Sequence, residues 1–269
     1  MTYTDVIGRQ QTHHDTVSSR LIKGMAATLD VSLPAKLPPL WHWMLFQDWV
    51  PAPALGADGH PQRGGFLPPV HDLPRRMWAG GRLVFHTPLA AGDAVIRTST
   101  IKEITEKSGG SGRLVFVTVS HRIDGPAGLA IEEEQDIVYR GAEGAAVKAA
   151  VGALPAPEDA RHQRMTPDPV LLFRYSALTG NGHRIHYDMD YVRNEEGYPG
   201  LVVHGPLQAT WMAGLLADQT IKRFSFRGRR PTFHDCRLEV QGWQDGTSWI
   251  MRTLDHTGVV CMEAEATTA

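Results

Sequence analysis

One segment of this chain has very few places to go. HGPLQATWMAGLLADQT, residues 204–220, reads as a helix in which Leu207, Trp211 and Leu215, with Met212 and Leu216, make an apolar girdle. Ala209, Ala213 and Gly214 put small residues on its other sides and let neighbours come close. A helix apolar on most sides is a buried one. Something must therefore wrap it, and the strand-like runs PTFHDCRLEVQGW, TSWIMRTLD and VVCMEAEAT that follow provide a sheet to do so.

The same order of elements occurs in the first half. TVSSRLIKGMAATLD, residues 16–30, repeats Leu21, Ile22, Met25 and Leu29 at helical spacing, with Ser18 or Ser19 placed to cap it. A proline-rich region then surrounds a short apolar segment at 40–46, a degenerate counterpart of the buried helix, and a long Gly/Pro-rich loop follows. From Arg82 the runs RLVFHT, AVIRTSTIKEI, RLVFVTVSHRI and IEEEQDIVYR are separated by AAGD, KSGGSG and DGPAG. Turns this short imply antiparallel pairing. Residues 142–157 are rich in Ala and Gly with little pattern, as in a linker. DPVLLFRYSALTG, residues 168–180, then opens the second half as a helix. The fold class expected is α+β, a tandem hot-dog fold with an antiparallel sheet around a central helix in each half. The expected division is 1–145, a connecting segment at 146–165, and 166–269.

Composition narrows the function classes. The 269 residues carry 27 Lys plus Arg against 29 Asp plus Glu, a net charge of −2, which argues against a broad nucleic-acid footprint. Two cysteines, Cys236 and Cys261, imply no disulfide framework and suit a reducing compartment. The start MTYTDVIGRQQTHHD has no apolar core of a secretory signal, and no run of about 18 apolar residues occurs. A soluble cytoplasmic protein is expected, with no nucleic-acid or membrane partner.

The chemistry gathers in TGNGHRIHYD, residues 179–188. His186 can take a proton near neutral pH. Asn181 can hold a water through its amide but is no base, and His183 and Asp188 can orient their neighbours. The His183/His186 spacing alone is weak evidence for a metal, because no second cluster completes it, so none is expected. His13-His14 reads as a solvated helix flank. In His204-Gly205-Pro206, proline suits the first helical turn and glycine lets backbone approach a ligand. The helix start offers unpaired N–H groups that stabilise an oxyanion, or it simply begins a core helix.

FRYSALTGNGHRIHYD followed by EGYPGLVVHGPLQA resembles the MaoC-like hydratase and dehydratase family, in the double hot-dog branch with a fatty-acid-synthase-type dehydratase N-terminal half. LPPLWHWMLF, GFLPPVHDLPRRMWAGG and PLAAGDAVIRTSTI fit the same branch, so the resemblance spans nearly the whole chain. The family's motif G-D-x-N-P-[LIV]-H falls with its Gly on Gly180, its Asp on Asn181, its Asn on His183, its Pro on Arg184 and its His on His186. The resemblance assigns the oxyanion-hole N–H to Gly205. It makes His186, Asn181 and Gly205 the catalytic set, with a neutral amide where the wider family has a carboxylate.

By resemblance the chain is a hydro-lyase. It adds water to an α,β-unsaturated acyl-CoA, mesaconyl-C4-CoA or itaconyl-CoA giving citramalyl-CoA, or runs the reverse dehydration. The alternatives are a fatty-acid-type 3-hydroxyacyl-ACP or -CoA dehydratase and a non-catalytic acyl-CoA binder. The thioester is substrate, and no separate cofactor is implied. Arg184 reads as an anchor for a substrate carboxylate or as half of a structural salt bridge. Trp41, Arg76 and Trp78 line an acyl tunnel or pack a core, and His183 and His204 flank the substrate. The basic run KRFSFRGRR, with Arg227, meets CoA phosphates or solvent. The chain is expected as a homodimer, or as a monomer whose tandem halves already form the pair.

Overall fold

The computed structural model describes residues 3–109, 112–141 and 152–269. Ten strands form one sheet in which every pairing is antiparallel. The first half contributes β1 (Gln10–Thr16), β2 (Arg75–Phe85), β3 (Ala94–Gly109), β4 (Gly112–Gly125) and β5 (Gly128–Arg140). The second contributes β6 (Arg161–Met165), β7 (Ile221–Gly228), β8 (Leu238–Asp245), β9 (Ser248–Leu254) and β10 (Val260–Thr268). Their order is β1-β3-β4-β5-β2-β7-β10-β9-β8-β6. Read inward from either end, each half runs first, third, fourth, fifth, second. The repeat inferred from element order is thus a repeat of topology, closed where β2 meets β7.

That seam explains a glycine pair read on sequence as the end of a loop. Gly80 pairs with Arg227 and Gly81 with Phe226, one step past a bulge after Trp78. A Cβ on Gly80 would lie 2.4 Å from the Phe226 carbonyl oxygen, and one on Gly81 would lie 2.8 Å from the Glu134 carbonyl oxygen. β2 accordingly begins at Arg75, seven residues before the sequence expectation. β7 also places most of the basic run: residues 222–228 are strand rather than loop. Ile221, Phe224 and Phe226 are buried while Lys222, Arg223 and Arg227 are exposed, so its cations ride the outer face of a central strand.

The helices follow their sequence signals. α1 (Ser19–Leu29) is capped by Ser18, whose hydroxyl accepts from the Leu21 N–H. α2 (Pro169–Thr179) starts at Asp168 with proline in its first turn, and ends at Gly180 in the left-handed conformation, φ 62°. α3 (Met189–Asn194) is short. α4 (Gly205–Gly214) buries seven consecutive residues, Leu207 to Ala213. Its counterpart in the first half is only a 3₁₀ turn, Trp41–Met44. One apolar core runs through both halves, joining Ile22, Met25 and Met44 to Leu172, Leu207 and Phe224. Among the described residues no helix is long and apolar enough to cross a membrane.

Three further expectations are adjusted. His13-His14 belongs to β1 rather than a helix flank, because the polar run Gln10–Thr16 pairs along β3. Residues 161–165, read as the end of the connecting segment, form β6 against β8; most of the Ala/Gly-rich stretch lies outside the described residues. Both cysteines are free, Cys261 buried and Cys236 half-buried.

The seam yields a stability test. Gly80→Ala should lower stability by about 1–3 kcal/mol, since the new methyl meets backbone that cannot rotate away. Gly65→Ala, where a Cβ meets nothing within 4 Å, should change little. Urea midpoints of the two variants check this, and equal midpoints would mean the seam has slack.

Candidate active site

The histidine-rich turn is built from the end of α2. After the left-handed Gly180, the Asn181 N–H donates to the Ser176 carbonyl at 2.9 Å, and its side-chain Oδ1 accepts from the His183 N–H at 3.0 Å. This Asx-type turn delivers the chain into a 3₁₀ turn, Arg184–His186. His186 is buried, with Nδ1 2.7 Å from the Val202 carbonyl oxygen. A carbonyl can only accept, so Nδ1 carries the proton and Nε2 keeps its lone pair. The His186 ring stacks on His204, centroids 3.6 Å apart and planes 18° from parallel. His204 is the residue immediately before α4, and its Nε2 lies 2.8 Å from the Ser176 hydroxyl. The imidazole at 186 and the start of the buried helix therefore meet directly.

The first half reaches into this turn, which sequence reading missed. Loop residues Asp58 and His60 are hydrogen-bonded to each other, Oδ2 to Nδ1 at 3.0 Å, and the His60 ring lies 4.3 Å from that of His183. His183 in turn meets His186 edge-on at 5.7 Å. Four imidazoles, at 60, 183, 186 and 204, form a file ended by one carboxylate. Backbone holds the loop there: the Arg184 N–H donates to the Asp58 carbonyl at 2.9 Å. Gly59, with φ +87°, presses so close to Gly182 that a Cβ would lie 2.0 Å from its carbonyl oxygen. The only sequence signal was DGHP inside a long Gly/Pro loop, with nothing to say where it docks.

Asp58, His60 and His183 also bring ligand-type atoms within 4.8 Å of one another, the one such group found among the described residues. The second cluster judged missing on sequence thus arrives from the other half. Two of its three members already bond each other, and His183 meets them ring to ring through His60.

Next to the turn lies a cavity of about 150 Å³ between the halves. Tyr175, Thr179, Asn181 and Pro206 form the second half's wall. His42, Trp43, Trp78, Arg97 and Glu133 stand among the first half's residues facing them. His42 Nε2 lies 3.0 Å from Glu133 Oε2, both side chains being 2% exposed, and Trp43 Nε1–H donates to Glu133 Oε1 at 2.8 Å. A wider depression of about 530 Å³ on the sheet surface mixes Arg82, Arg122 and Arg223 with Glu132, Glu134 and Glu265, and contains none of the turn.

The sequence-derived residues divide accordingly. Asn181 faces the cavity beside Pro206, the second residue of α4; His186 is not in the cavity wall and joins the site through His204. Trp78 lines the cavity, edge-on to Trp43 at 4.9 Å. Trp41 is a core residue instead. Arg76 lies near the histidine file, where its charge helps hold His60 and His183 neutral. Arg184 is occupied: it grips Asp188 Oδ2 through Nε and Nη2 at 2.9 and 2.7 Å, donates to the Ala57 carbonyl, and lies over Tyr191. Arg227 is an exposed residue of β7 outside both hollows.

Burial makes the file neutral. It is the largest influence pulling the pKa of His186 down to about 4 and that of His183 to about 2, and it takes His204 well below the usual imidazole range. Glu133 is held at about 2 against its burial, chiefly by the hydrogen bond from His42.

A family profile described as "Hydroxyacyl-thioester dehydratase type 2" matches residues 40–234, which include both the first half's loop and the turn. The chain belongs to the hydroxyacyl-thioester dehydratase type 2 family. Mesaconyl-C(4)-CoA hydratase of Chloroflexus aurantiacus is 50% identical to it over 236 residues, 84% of each chain. A solved MaoC-like dehydratase from Phytophthora capsici superposes with a TM-score of 0.75 at 15% identity, covering 100% of this chain and 98% of that one. A Mycobacterium tuberculosis protein described as having a double hotdog fold superposes at 0.57 with 13% identity, covering 100% and 98%. These last two likenesses establish the double hot-dog fold of this dehydratase-family chain.

The neutral histidines make stability depend on pH. An unfolded histidine takes up a proton near its ordinary 6.5, whereas His186 and His121 in the fold do so only near 4. Between those values the unfolded state binds more protons, so acidification from pH 6.5 to 4 lowers stability by up to about 1.4 kcal/mol per pH unit for each group. The Glu133 contribution is lost lower, as pH falls through about 2. Urea midpoints from pH 7 to 4.5 should therefore fall, and fall less steeply in His186→Gln. An unchanged slope in that variant would mean His186 is not held neutral.

Proposed function

We propose that this enzyme hydrates a short, branched α,β-unsaturated dicarboxylic acyl-CoA of the mesaconyl-C4-CoA class, giving citramalyl-CoA, and catalyses the reverse dehydration. The observation that carries the reading is the convergence of Asn181 and the first turn of α4 on one small cavity between the halves, with His186 stacked on the residue that precedes that turn. The 50% identical mesaconyl-C(4)-CoA hydratase supports the substrate class. Cavity size supports it too. About 150 Å³ holds a group the size of a benzene ring, which suits a five-carbon acid rather than a long acyl chain.

In this reading the thioester oxygen takes the N–H of Gly205, at the positive end of the buried helix. Gly205 is not required by packing: a Cβ there would touch only Met262 Cε, at an ordinary 3.4 Å. Its bareness suits close approach by a ligand. Asn181 retains its amide hydrogens to hold the water, its Oδ1 being engaged by His183. His186 Nε2 takes a proton as the water oxygen bonds to the β-carbon. The resulting enolate is held at Gly205, and its α-carbon receives the proton back from His186. An imidazole held near pKa 4 is a modest base but returns its proton readily. The family's description favours a second reading, dehydration of a 3-hydroxyacyl thioester, which the same groups perform in reverse.

Parallel optical assays with mesaconyl-C4-CoA, itaconyl-CoA and crotonyl-CoA test the reading, with a branched dicarboxylic substrate expected to give the largest kcat/KM. Preference for crotonyl-CoA would favour the second reading, and turnover of none would remove both. His186→Ala should reduce kcat by about 10²- to 10⁴-fold, with a native circular dichroism spectrum. Undiminished turnover would take His186 out of the chemistry.

A further inference from the structure

Arg184, read either as an anchor for a substrate carboxylate or as half of a structural salt bridge, is spent on Asp188 and the Ala57 carbonyl. The cavity contains another guanidinium. Arg97, in β3, lines the hollow that holds Asn181. Its Nη2 donates to His13 Nδ1 at 3.1 Å, and its plane lies 4.9 Å from the Phe46 ring centroid. Its Nε is buried with no hydrogen-bond partner. Among the described residues it makes no ion pair, although sixteen such contacts occur elsewhere in the fold.

The carboxylates closest in charge effect are already satisfied or distant. Glu133 accepts from Trp43 and Gln135 on Oε1 and pairs with His42 on Oε2. Asp15 accepts from the Phe46 N–H on Oδ2 and from the Thr16 N–H on Oδ1. Asp48 is felt only as a through-space charge. A guanidinium half-removed from water, with a free donor and no carboxylate within ion-pair distance, is costly unless an anion arrives. Arginine is also the side chain best shaped to receive a carboxylate on two donors.

We propose that Arg97 receives the free carboxylate of a dicarboxylic acyl group, and so sets the enzyme's choice of dicarboxylic over plain unsaturated thioesters. The inference rests on the substrate class proposed above and deepens it. With the thioester oxygen at the start of α4 and the carboxylate at Arg97, the acyl group spans the cavity past Asn181. Glu133, whose oxygens are taken up by His42, Trp43 and Gln135, makes no ion pair with Arg97.

The test is the ratio of kcat/KM for mesaconyl-C4-CoA to that for crotonyl-CoA. In Arg97→Met the ratio should fall by about 10- to 100-fold, the worth of a hydrogen-bonded charge pair. If that variant does not fold, Arg97→Lys should lower the ratio by a smaller factor, because a single ammonium cannot form the two-donor pair. An unchanged ratio in a folded variant overturns the proposal, even where both activities drop together. Wild-type enzyme that ignores mesaconyl-C4-CoA while hydrating crotonyl-CoA overturns the substrate class itself, and the two failures are read from different arms of the experiment.

Discussion

The burial of α4 is the constraint from which the rest follows. Seven consecutive buried residues force the sheet of the second half to curl around the helix. Its two polar members in that run are satisfied locally: Gln208 Oε1 accepts from the Thr253 hydroxyl at 2.7 Å, and the Thr210 hydroxyl donates to the Pro206 carbonyl at 2.8 Å. A helix fixed this firmly has one end available for chemistry, the N-terminus at His204-Gly205-Pro206. The histidine turn and the cavity both meet that end.

The seam between β2 and β7 adds the second half of the arrangement. Bare glycines let the strands of the two repeats join, and the joined sheet places the first half's loops over the second half's turn. The first half has lost its own central helix to a 3₁₀ turn. It serves the site through its walls instead: Asp58 and His60 end the file of imidazoles, while His42, Glu133 and Arg97 face Asn181 across the cavity. The asymmetry gives one repeat the helix end and the other the charged lining.

Much of this was legible in the chain. Alternating burial in β4, the caps of α1 and α2, and the all-round apolar α4 follow from period and turn chemistry alone. What escaped depended on distant neighbours. KRFSFRGRR alternates as a strand should, but its cations masked the signal, and only pairing with β2 and β10 decides it. The polar β1 carries no apolar stripe because its side chains lie at the sheet's edge. Asp58, His60 and Arg97 sit in a loop and a strand with no local motif, so only the docking of one half on the other reveals them. For Arg184 the structure decides between the two readings the chain allowed, in favour of the salt bridge, with Asp188.

The most direct test is a crystal structure of the enzyme with a saturated ketone analogue of its acyl-CoA substrate, in which CH2 replaces the thioester sulfur and the carbonyl oxygen is kept. That oxygen is expected within hydrogen-bond distance of the Gly205 N–H, with the acyl carbons in the cavity beside Asn181. An acyl group seated instead in the depression on the sheet surface, with α4's first turn untouched, would contradict it.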